Sequence, residues 1–465
     1  MGSGADSPAT PEEDGPPGWR RVVFLTSCTM ALCNIDRVLL SVAGLPMAAE
    51  FGFNGATMGV LQSSYLWGYG LGQVPSGMLS DRFGGPRVLV GGLALWSLAT
   101  LALPLARGSA APLAVLTLTR VLFGFGSAVA LPAVSATVSR LVPASRRASN
   151  LAVIYAAFNL GSLAGMGSTP PLIASAGWPA CFVLYGMLGL VWTVVATAAL
   201  PGYVRAGRDA PGAVVSCGPA VSGGTFALRR GGMLQVVVLV WVHSCIGWGF
   251  FVMLSWIPTY LVGTHAFTDL RLVGAVSALP WLVCAVVGMT AGALADWLGS
   301  ARGWGAFRVR TAMNRVATLG PAASLMLLPF ASGPITAVLC LCAAMGAQSF
   351  NYAGYHGASR MHSCGFLRAL SRCARVLTPR HTSACTAHVQ DVAGGQAGTL
   401  LAISNTGGIV MGIIGNILTG WLVAKTGGFS AIFFLSAALY LSSFAVWTLV
   451  VRSGPIFEEV ACADD

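Results

Sequence analysis

A short polar stretch between two long apolar runs decides the fold of this chain, Gly77-Met78-Leu79-Ser80-Asp81-Arg82-Phe83-Gly84-Gly85-Pro86-Arg87. A weaker copy follows the second apolar run in the other half of the chain, Gly292-Ala293-Leu294-Ala295-Asp296-Trp297. An internal repeat at corresponding places is typical of membrane proteins built from two related halves. The repeat therefore predicts a two-part architecture.

The apolar runs around this stretch are long enough to cross a membrane. Of 465 residues, 55% are hydrophobic and only 9% are charged, whereas a soluble globular protein has about 25% charged residues. Apolar runs of roughly 20 residues suit helices in a ~30 Å hydrocarbon layer, and a barrel would need ~10-residue alternating segments instead. The candidate runs begin near Val22, Thr57, Val88, Leu113, Leu151, Cys181, Leu234, Leu272, Ala312, Ile335, Ala397 and Ala431. The sequence thus predicts an all-α membrane protein with twelve transmembrane helices in two six-helix halves.

The basic residues are distributed asymmetrically. With a cytoplasmic N-terminus, 21 of the 26 lie in loops on the cytoplasmic side. The exceptions are Arg107, Arg271 and Lys425 in loops on the other side, and Arg37 and Arg120 inside spans. This pattern follows the positive-inside rule and predicts that both termini are cytoplasmic. Topology accounts for the net charge of +11, so nucleic-acid binding is not expected.

Changes in polarity divide the chain into segments. The acidic, Pro-rich and Gly-rich residues 1–18 predict a disordered cytoplasmic N-terminus, and the polar residues 201–232 predict a central cytoplasmic loop. The two halves are predicted at 19–200 and 233–452, followed by an acidic tail at 453–465. Residues 357–386 carry five arginines and three cysteines, which indicates an inserted cytoplasmic loop or a gene-model artefact such as a retained intron.

Cysteine and histidine spacing does not indicate a metal centre. Most of the twelve cysteines lie in apolar spans, where cysteine behaves as a small hydrophobe. The cysteines and histidines of residues 357–388 lack the CxxC or HxxxH pairs of a zinc site. No metal or other cofactor is expected. An enzyme is not expected either, because no nucleophile and base with suitable spacing occur within the spans.

Charged side chains inside spans mark the candidate site, because each is costly in lipid unless it faces a partner or a polar cavity. Arg37 lies late in span one beside Asp36, and Arg120 lies early in span four. One interpretation is a structural ion pair between Asp36 and Arg120. The other is that the two arginines converge on an anionic substrate, since guanidinium groups match carboxylate and phosphate oxygens. Asp36 would then couple a proton or cation to anion movement.

Several amphipathic residues extend the candidate path. His243 in span seven is predicted to bind substrate or relay a proton, with a polar contact between helices as the alternative. Tyr65, Tyr69 and Trp248 are predicted to line the path, although aromatic rings in spans are also typical of packing and interface anchors.

The polar turn after span two is the candidate gate. A carboxylate is stabilised near a helix N-terminus and an arginine can bridge to it, so this turn is predicted to hold the cytoplasmic side closed in one conformation. The predicted gating residues are Gly77, Asp81, Arg82, Gly84, Arg87 and, in the repeat, Asp296.

These motifs resemble those of the major facilitator superfamily. The turn is similar to its signature Gly-x-Leu-x-Asp-Arg-x-Gly-x-x-Arg, and Arg120-Val121-Leu122-Phe123-Gly124-Phe125-Gly126 resembles its span-four motif. Finer matches at 32–37, 62–69, 243–260, 279–282 and 403–407 resemble the anion transporters that include sialin, vesicular glutamate transporters and plant plastid and Golgi phosphate carriers. The stretch Asn34-Ile35-Asp36-Arg37 is most similar to the plant and algal branch.

The resemblance implies a secondary active transporter that works by alternating access. It implies a substrate path with Arg37, Arg120 and Asn405, inorganic phosphate as the first substrate, and an organic anion such as glutamate, sialate or ascorbate as the second. The co-transported ion would be H+ or Na+. Ser127 stands where the family usually has a coupling glutamate, and Arg146-Arg147 where it has a Glu-Arg pair. These departures leave open a receptor or regulatory membrane protein that kept the fold without transporting.

The sequence leaves the membrane undecided. The resembling proteins are found in the plastid envelope, thylakoid, Golgi and vesicles. The expected partners are a small anionic solute and the lipid bilayer, and the expected state is a monomer.

Overall fold

Long helices dominate the structure, a computed structural model that describes residues 18–142, 147–208, 226–228, 232–265, 269–351, 397–451 and 457–459. The α-helices of these ranges are α1 (Trp19–Phe51), α2 (Gly55–Phe83), α3 (Gly85–Ala102), α4 (Pro112–Ser127), α5 (Ala130–Leu141), α6 (Arg147–Arg208), α7 (Gly232–His265), α8 (Leu270–Ser300), α9 (Ala306–Leu327), α10 (Pro334–Gln348), α11 (Ala397–Thr426) and α12 (Ser430–Val450). Short 3-10 helices follow α3, α9 and α10 at Leu103–Gly108, Leu328–Phe330 and Ser349–Asn351.

The helices make twelve passes, although not one each. α4 and α5 form a single pass, and α6 forms two because its backbone leaves helical geometry at Gly177, where φ is 78°. Only glycine adopts this left-handed region at little steric cost. Within the described ranges, nine helical stretches are long and apolar enough to span a membrane, one of them the double pass of α6. The more polar α2 and α9 complete the twelve, which confirms the predicted fold of two six-helix halves.

Glycines allow α2 and α4 to touch backbone to backbone. A Cβ atom on Gly124 would overlap the carbonyl oxygen of Tyr65, and a Cβ atom on Gly68 would overlap that of Val121. In lipid, close packing of small residues takes the place of the hydrophobic effect in holding helices together. The contact places the Tyr65 turn of α2 against α4, one turn from Arg120.

The two halves are in contact on the side where the loops carry few basic residues, here called the arginine-poor side. A Cβ atom on Gly59 of α2 would lie 2.7 Å from the carbonyl oxygen of Asn416 of α11, and one on Gly55 would lie 2.7 Å from that of Gly420. About five turns from Gly59 along the same face of α2, a Cβ atom on Gly77 would meet no described atom within 4 Å. Among the described residues, contact between α2 and α11 is therefore close at the arginine-poor end, and no such contact is made at Gly77.

A small sheet lies outside the helical bundle and was not predicted. Strand β1 (Phe226–Leu228), in the predicted central loop, pairs antiparallel with β2 (Phe457–Glu459), in the predicted tail, with Ala227 opposite Glu458. Strands of three residues are too short to show an alternating pattern in sequence. α6 also continues to Arg208, into the predicted central loop. The predicted insertion at 357–386 lies outside the described residues, as does the N-terminus to residue 17.

Candidate functional site

Two arginines from different helices meet at one aromatic ring. The guanidinium carbon of Arg37 in α1 lies 5.9 Å from the ring centroid of Tyr65 in α2, and that of Arg120 in α4 lies 5.4 Å from the same centroid. The two guanidinium groups can therefore be no farther apart than the sum of these distances. The structure thus brings together the two arginines that the sequence places inside spans.

Three rings surround the guanidinium group of Arg37. Besides Tyr65, the guanidinium carbon lies 5.2 Å from the ring centroid of Tyr69 and 5.4 Å from that of Phe158 in α6. The Nε atom of Arg37 is buried without a hydrogen-bond partner, although the residue as a whole is only half-buried. Aromatic faces attract a cation through their quadrupole and do not neutralise it as a carboxylate would. The cage therefore stabilises the charge of Arg37 without pairing it with a carboxylate.

Arg120 is more deeply buried than Arg37, with 3% of its surface exposed. Its guanidinium carbon lies 4.6 Å from the ring centroid of Phe123, and its Nη1 atom donates to the backbone carbonyl oxygen of Asp36 at 3.4 Å. Its Nε atom has no hydrogen-bond partner. Arg120 is thus fixed to α1 through the backbone and keeps an unused donor.

Asp36 does not form the ion pair with Arg120 that the sequence left open. The residue is 2% exposed, and its carboxylate oxygen Oδ1 has no hydrogen-bond partner. Among the described side chains, one ion pair is closer than 4.0 Å, and it joins Arg107, in the 3-10 helix after α3, to Glu50 near the end of α1. Asp36 is therefore a buried carboxyl group on the helix turn to which Arg120 is bound, and it forms an ion pair with neither arginine.

The unpartnered polar atoms around the Tyr65 ring are mainly hydrogen-bond donors. They are the Nε atoms of Arg37 and Arg120 and the hydroxyl oxygen of Tyr65, all buried without a partner, with Asp36 Oδ1 as the acceptor nearby. Buried polar groups are normally hydrogen-bonded, and donors in this arrangement match a ligand that carries several acceptor oxygens. Phosphate and carboxylate groups have this chemistry.

The other predicted path residues lie elsewhere in the second half. Trp248 of α7 donates from its indole nitrogen to Ser436 of α12 at 2.9 Å, inside that half. His243 of α7 faces α11, where its Cδ2 atom would lie 3.3 Å from a Cβ atom on Gly408. Asn405 is half-buried on α11. Among the contacts of the described residues, none joins these three to Arg37 or Arg120, so their roles in the path stay predictions.

Two aromatic residues at the site were missed by sequence analysis. Phe158 packs on Arg37, and Phe251 of α7 lies with its ring centroid 6.3 Å from that of Tyr65 in an edge-to-face arrangement. Phe251 comes from the second half of the molecule, so that half also contacts the Tyr65 ring. Neither residue carries a sequence signal, because a phenylalanine in an apolar span looks the same whether it packs on lipid, on a helix or on a guanidinium group.

The predicted gate is only partly visible. Gly84 joins α2 to α3 with φ at 86° and ψ at 140°, which accounts for glycine at this turn. Arg82 and Arg87 are exposed, and the guanidinium carbon of Arg82 lies 5.3 Å from the ring centroid of Phe83. The side chains of Asp81 and Asp296 lie outside the described part, so the predicted lock stays a prediction.

Ser127 does not replace a coupling carboxylate. It is fully buried in α4, and its hydroxyl group donates to the carbonyl oxygen of Gly124 at 3.0 Å, within its own helix. A serine carries no charge, so Ser127 does not add a carboxylate to the site. Asp36 is the buried carboxyl residue that the described structure joins to Arg120, through its backbone carbonyl group.

Comparison with known proteins shows which family the chain is similar to. Residues 25–359 match the model of the Major Facilitator Superfamily. The chain is 34% identical to "Probable anion transporter 1, chloroplastic" of Oryza sativa subsp. japonica, over 96% of this chain and 79% of that protein. It is 33% identical to the "Sodium-dependent phosphate transport protein 1, chloroplastic" of Arabidopsis thaliana, over 94% of this chain and 80% of that protein. It is 32% identical to the "Ascorbate transporter, chloroplastic" of the same plant, over 96% and 78%.

A solved structure supports the same fold. The crystal structure of a bacterial homologue of the human lysosomal transporter Spinster, in an inward-facing and occupied conformation, aligns with a TM-score of 0.68 at 15% identity. The alignment covers 94% of this chain and 97% of that one. The chain therefore belongs to the Major Facilitator Superfamily and, within it, to the family of the plant anion transporters.

Proposed function

We propose that this chain is a secondary active transporter that carries a small anion by alternating access, with inorganic phosphate as its first substrate and an organic anion such as ascorbate as its second. The observation that supports this most is the meeting of Arg37 and Arg120 at the Tyr65 ring. The names of the relatives point the same way, since one is called a phosphate transport protein and another an ascorbate transporter.

The charge of the site favours an anion. Two guanidinium groups and one carboxyl group leave the site with a net positive charge whether or not Asp36 is ionised. Aromatic rings stabilise these cations from the side, so no protein carboxylate has to leave before an anion binds. Phosphate offers four oxygens to the unpartnered donors of Arg37, Arg120 and Tyr65.

The anion enters from the arginine-rich side in the conformation described. The halves are in contact at Gly59 and Asn416, and a Cβ atom on Gly77 toward the other end would meet no described atom within 4 Å. Rocking of the two halves about the central site would close this end and open the other, as in transporters built from two repeats. The arginine-rich loops around the opening raise the local concentration of anions.

Coupling to a cation is assigned to Asp36. It is buried where Arg120 is bound to α1, and its Oδ1 atom has no hydrogen-bond partner in the structure, so it can take a proton or bind Na+ when the anion arrives. His243 is a second candidate for proton relay, although it lies away from the arginine pair. Transport is driven by a cation gradient or by the membrane potential.

The membrane proposed for this protein is one of the plastid membranes, because the relatives named above are chloroplastic. The arginine-rich side would then face the compartment from which the protein inserts. The protein is proposed to act as a monomer.

Uptake by proteoliposomes tests the function. Purified protein is reconstituted, and entry of radiolabelled phosphate is measured with imposed Na+, H+ or potential gradients and with unlabelled ascorbate or glutamate as competitors. Wild-type protein should take up phosphate, and Arg37→Ala and Arg120→Ala should each abolish uptake. Arg271→Ala is the matched control, because Arg271 is exposed at the start of α8. Uptake insensitive to both site variants would contradict the assignment, and wild-type protein that binds the anion without moving it would favour the receptor alternative.

A further inference from the structure

Asn34 forms a buried polar link between α1 and α6, beside those of Trp192 with Thr29 and Trp178 with Glu50. It is 3% exposed and lies one helical turn before Arg37. Its side-chain amide donates to the backbone carbonyl oxygen of Phe158 at 2.7 Å and also to the hydroxyl oxygen of Ser162. Both hydrogens of the amide are thus directed to α6, which fixes the side chain in one orientation.

The helices around Asn34 are in close contact. A Cβ atom on Gly161 would overlap the carbonyl oxygen of Ala31, and one on Gly165 would lie 2.7 Å from the Cγ2 atom of Val38. Glycines permit this approach, but a smooth glycine surface does not by itself decide which residue of α6 faces which residue of α1. A directional hydrogen bond between helices supplies that register.

The residue held by Asn34 is also the residue that packs on Arg37. The carbonyl oxygen of Phe158 accepts from Asn34, and the ring of Phe158 lies 5.4 Å from the guanidinium carbon of Arg37. Movement of α6 along α1 would therefore remove one wall of the cage. The other two walls, Tyr65 and Tyr69, come from α2 and would stay in place.

We propose that Asn34 is a positioning residue of the anion site, which acts through Phe158 to hold the guanidinium group of Arg37 in the orientation that binds the anion. This inference rests on the proposed function for its consequence in transport. Its structural part, the dependence of Arg37 on Asn34, does not.

The first test measures the exposure of Arg37 without any substrate. Purified protein is treated with phenylglyoxal, an arginine-selective dicarbonyl, and the modification rate of Arg37 is followed by peptide mass spectrometry. Asn34→Ala removes both hydrogen bonds and should raise this rate at least about threefold to tenfold, the range expected for loss of a single hydrogen bond between membrane helices. Ser27→Ala is the matched control, because the Ser27 hydroxyl is buried on the same helix but donates to the backbone carbonyl oxygen of Val23 of α1 itself. An unchanged Arg37 rate in folded Asn34→Ala protein would overturn the proposal.

The second test measures phosphate uptake by the same variants. Asn34→Ala should raise KM about threefold to tenfold with a smaller change in maximal rate per folded molecule. Loss of stability alone would lower the amount of active protein and leave KM unchanged. In a Phe158→Leu background, Asn34→Ala should add little to KM, and effects that multiply would overturn the proposal. Asn34→Ser, which keeps one donor, replaces Asn34→Ala if the latter does not reach the membrane.

The two tests distinguish failure of the positioning role of Asn34 from failure of the proposed transport function. Absence of phosphate uptake by wild-type protein would contradict the proposed function, and the labelling rates would still decide the role of Asn34. Normal uptake together with an unchanged labelling rate would retain the function and refute the positioning role.

Discussion

Arg120 donates to the backbone carbonyl oxygen of Asp36 at 3.4 Å, while the carboxylate oxygen Oδ1 of Asp36 has no hydrogen-bond partner. The arginine is therefore attached to α1 without being neutralised by the adjacent carboxyl group. Removing one partner of a buried ion pair is strongly destabilising, so a site that must bind and release an anion works better when its cations are held by rings and carbonyl groups. The consequences of this arrangement can be measured one residue at a time.

Replacing Arg37 by lysine keeps the charge and removes the planar fork of donors. We expect Arg37→Lys to raise the KM for phosphate about tenfold to a hundredfold, because hydrogen bonds to charged groups contribute ~1.5–3 kcal/mol. Initial uptake rates over a range of phosphate concentrations give the value. Arg271→Lys should behave as wild type, and an unaltered KM in Arg37→Lys would mean that Arg37 does not contact the anion.

The hydroxyl group of Tyr65 can be separated from its ring. Tyr65→Phe keeps the surface between the two guanidinium groups but removes the buried hydroxyl that has no partner. We expect a KM increase of about twofold to tenfold, the effect of one neutral hydrogen bond, with unchanged thermal stability in detergent. A fall in stability with no change in KM would assign the hydroxyl to the fold instead of the substrate.

Much of this arrangement can be predicted from the sequence, and the remainder cannot. Arg37, Asp36 and Arg120 stand out because ionisable groups in apolar spans are rare and costly. Phe158 and Asn34 do not stand out, because their contacts depend on how α6 is aligned along α1. The two glycines at this contact, Gly161 and Gly165, do not by themselves fix that alignment. Trp248 was predicted for the path as an amphipathic ring within a span, and a pattern of residues does not reveal that its indole nitrogen donates to Ser436 of α12.

Asp36→Asn should separate coupling from anion binding. Asparagine has the shape of the protonated carboxyl group and cannot take up or release a proton. We expect loss of phosphate accumulation driven by a cation gradient, with exchange of internal for external phosphate retained. Net uptake and counterflow are measured on the same proteoliposomes. If Asp36→Asn still accumulates phosphate against its gradient, another group couples transport.

The closed end of the molecule depends on the absence of a side chain at Gly59. A Cβ atom there would lie 2.7 Å from the carbonyl oxygen of Asn416, so Gly59→Leu should prevent closure on the arginine-poor side. Because conformational steps limit many transport and catalytic cycles, the variant should lower the uptake rate about tenfold or more. Gly263→Leu is the control, because a Cβ atom on Gly263 would meet no described atom within 4 Å. A cysteine introduced near the closed end should become reactive to a thiol reagent from that side in Gly59→Leu, and equal reactivity in both variants would refute this gate.

Equilibrium binding of radiolabelled phosphate to purified protein tests the central claim most directly. If one anion binds between Arg37 and Arg120 beside Tyr65, wild-type protein should bind phosphate saturably, and the double variant Arg37→Ala/Arg120→Ala, confirmed to be folded by its thermal unfolding, should bind none. Wild-type affinity in the folded double variant would contradict the account.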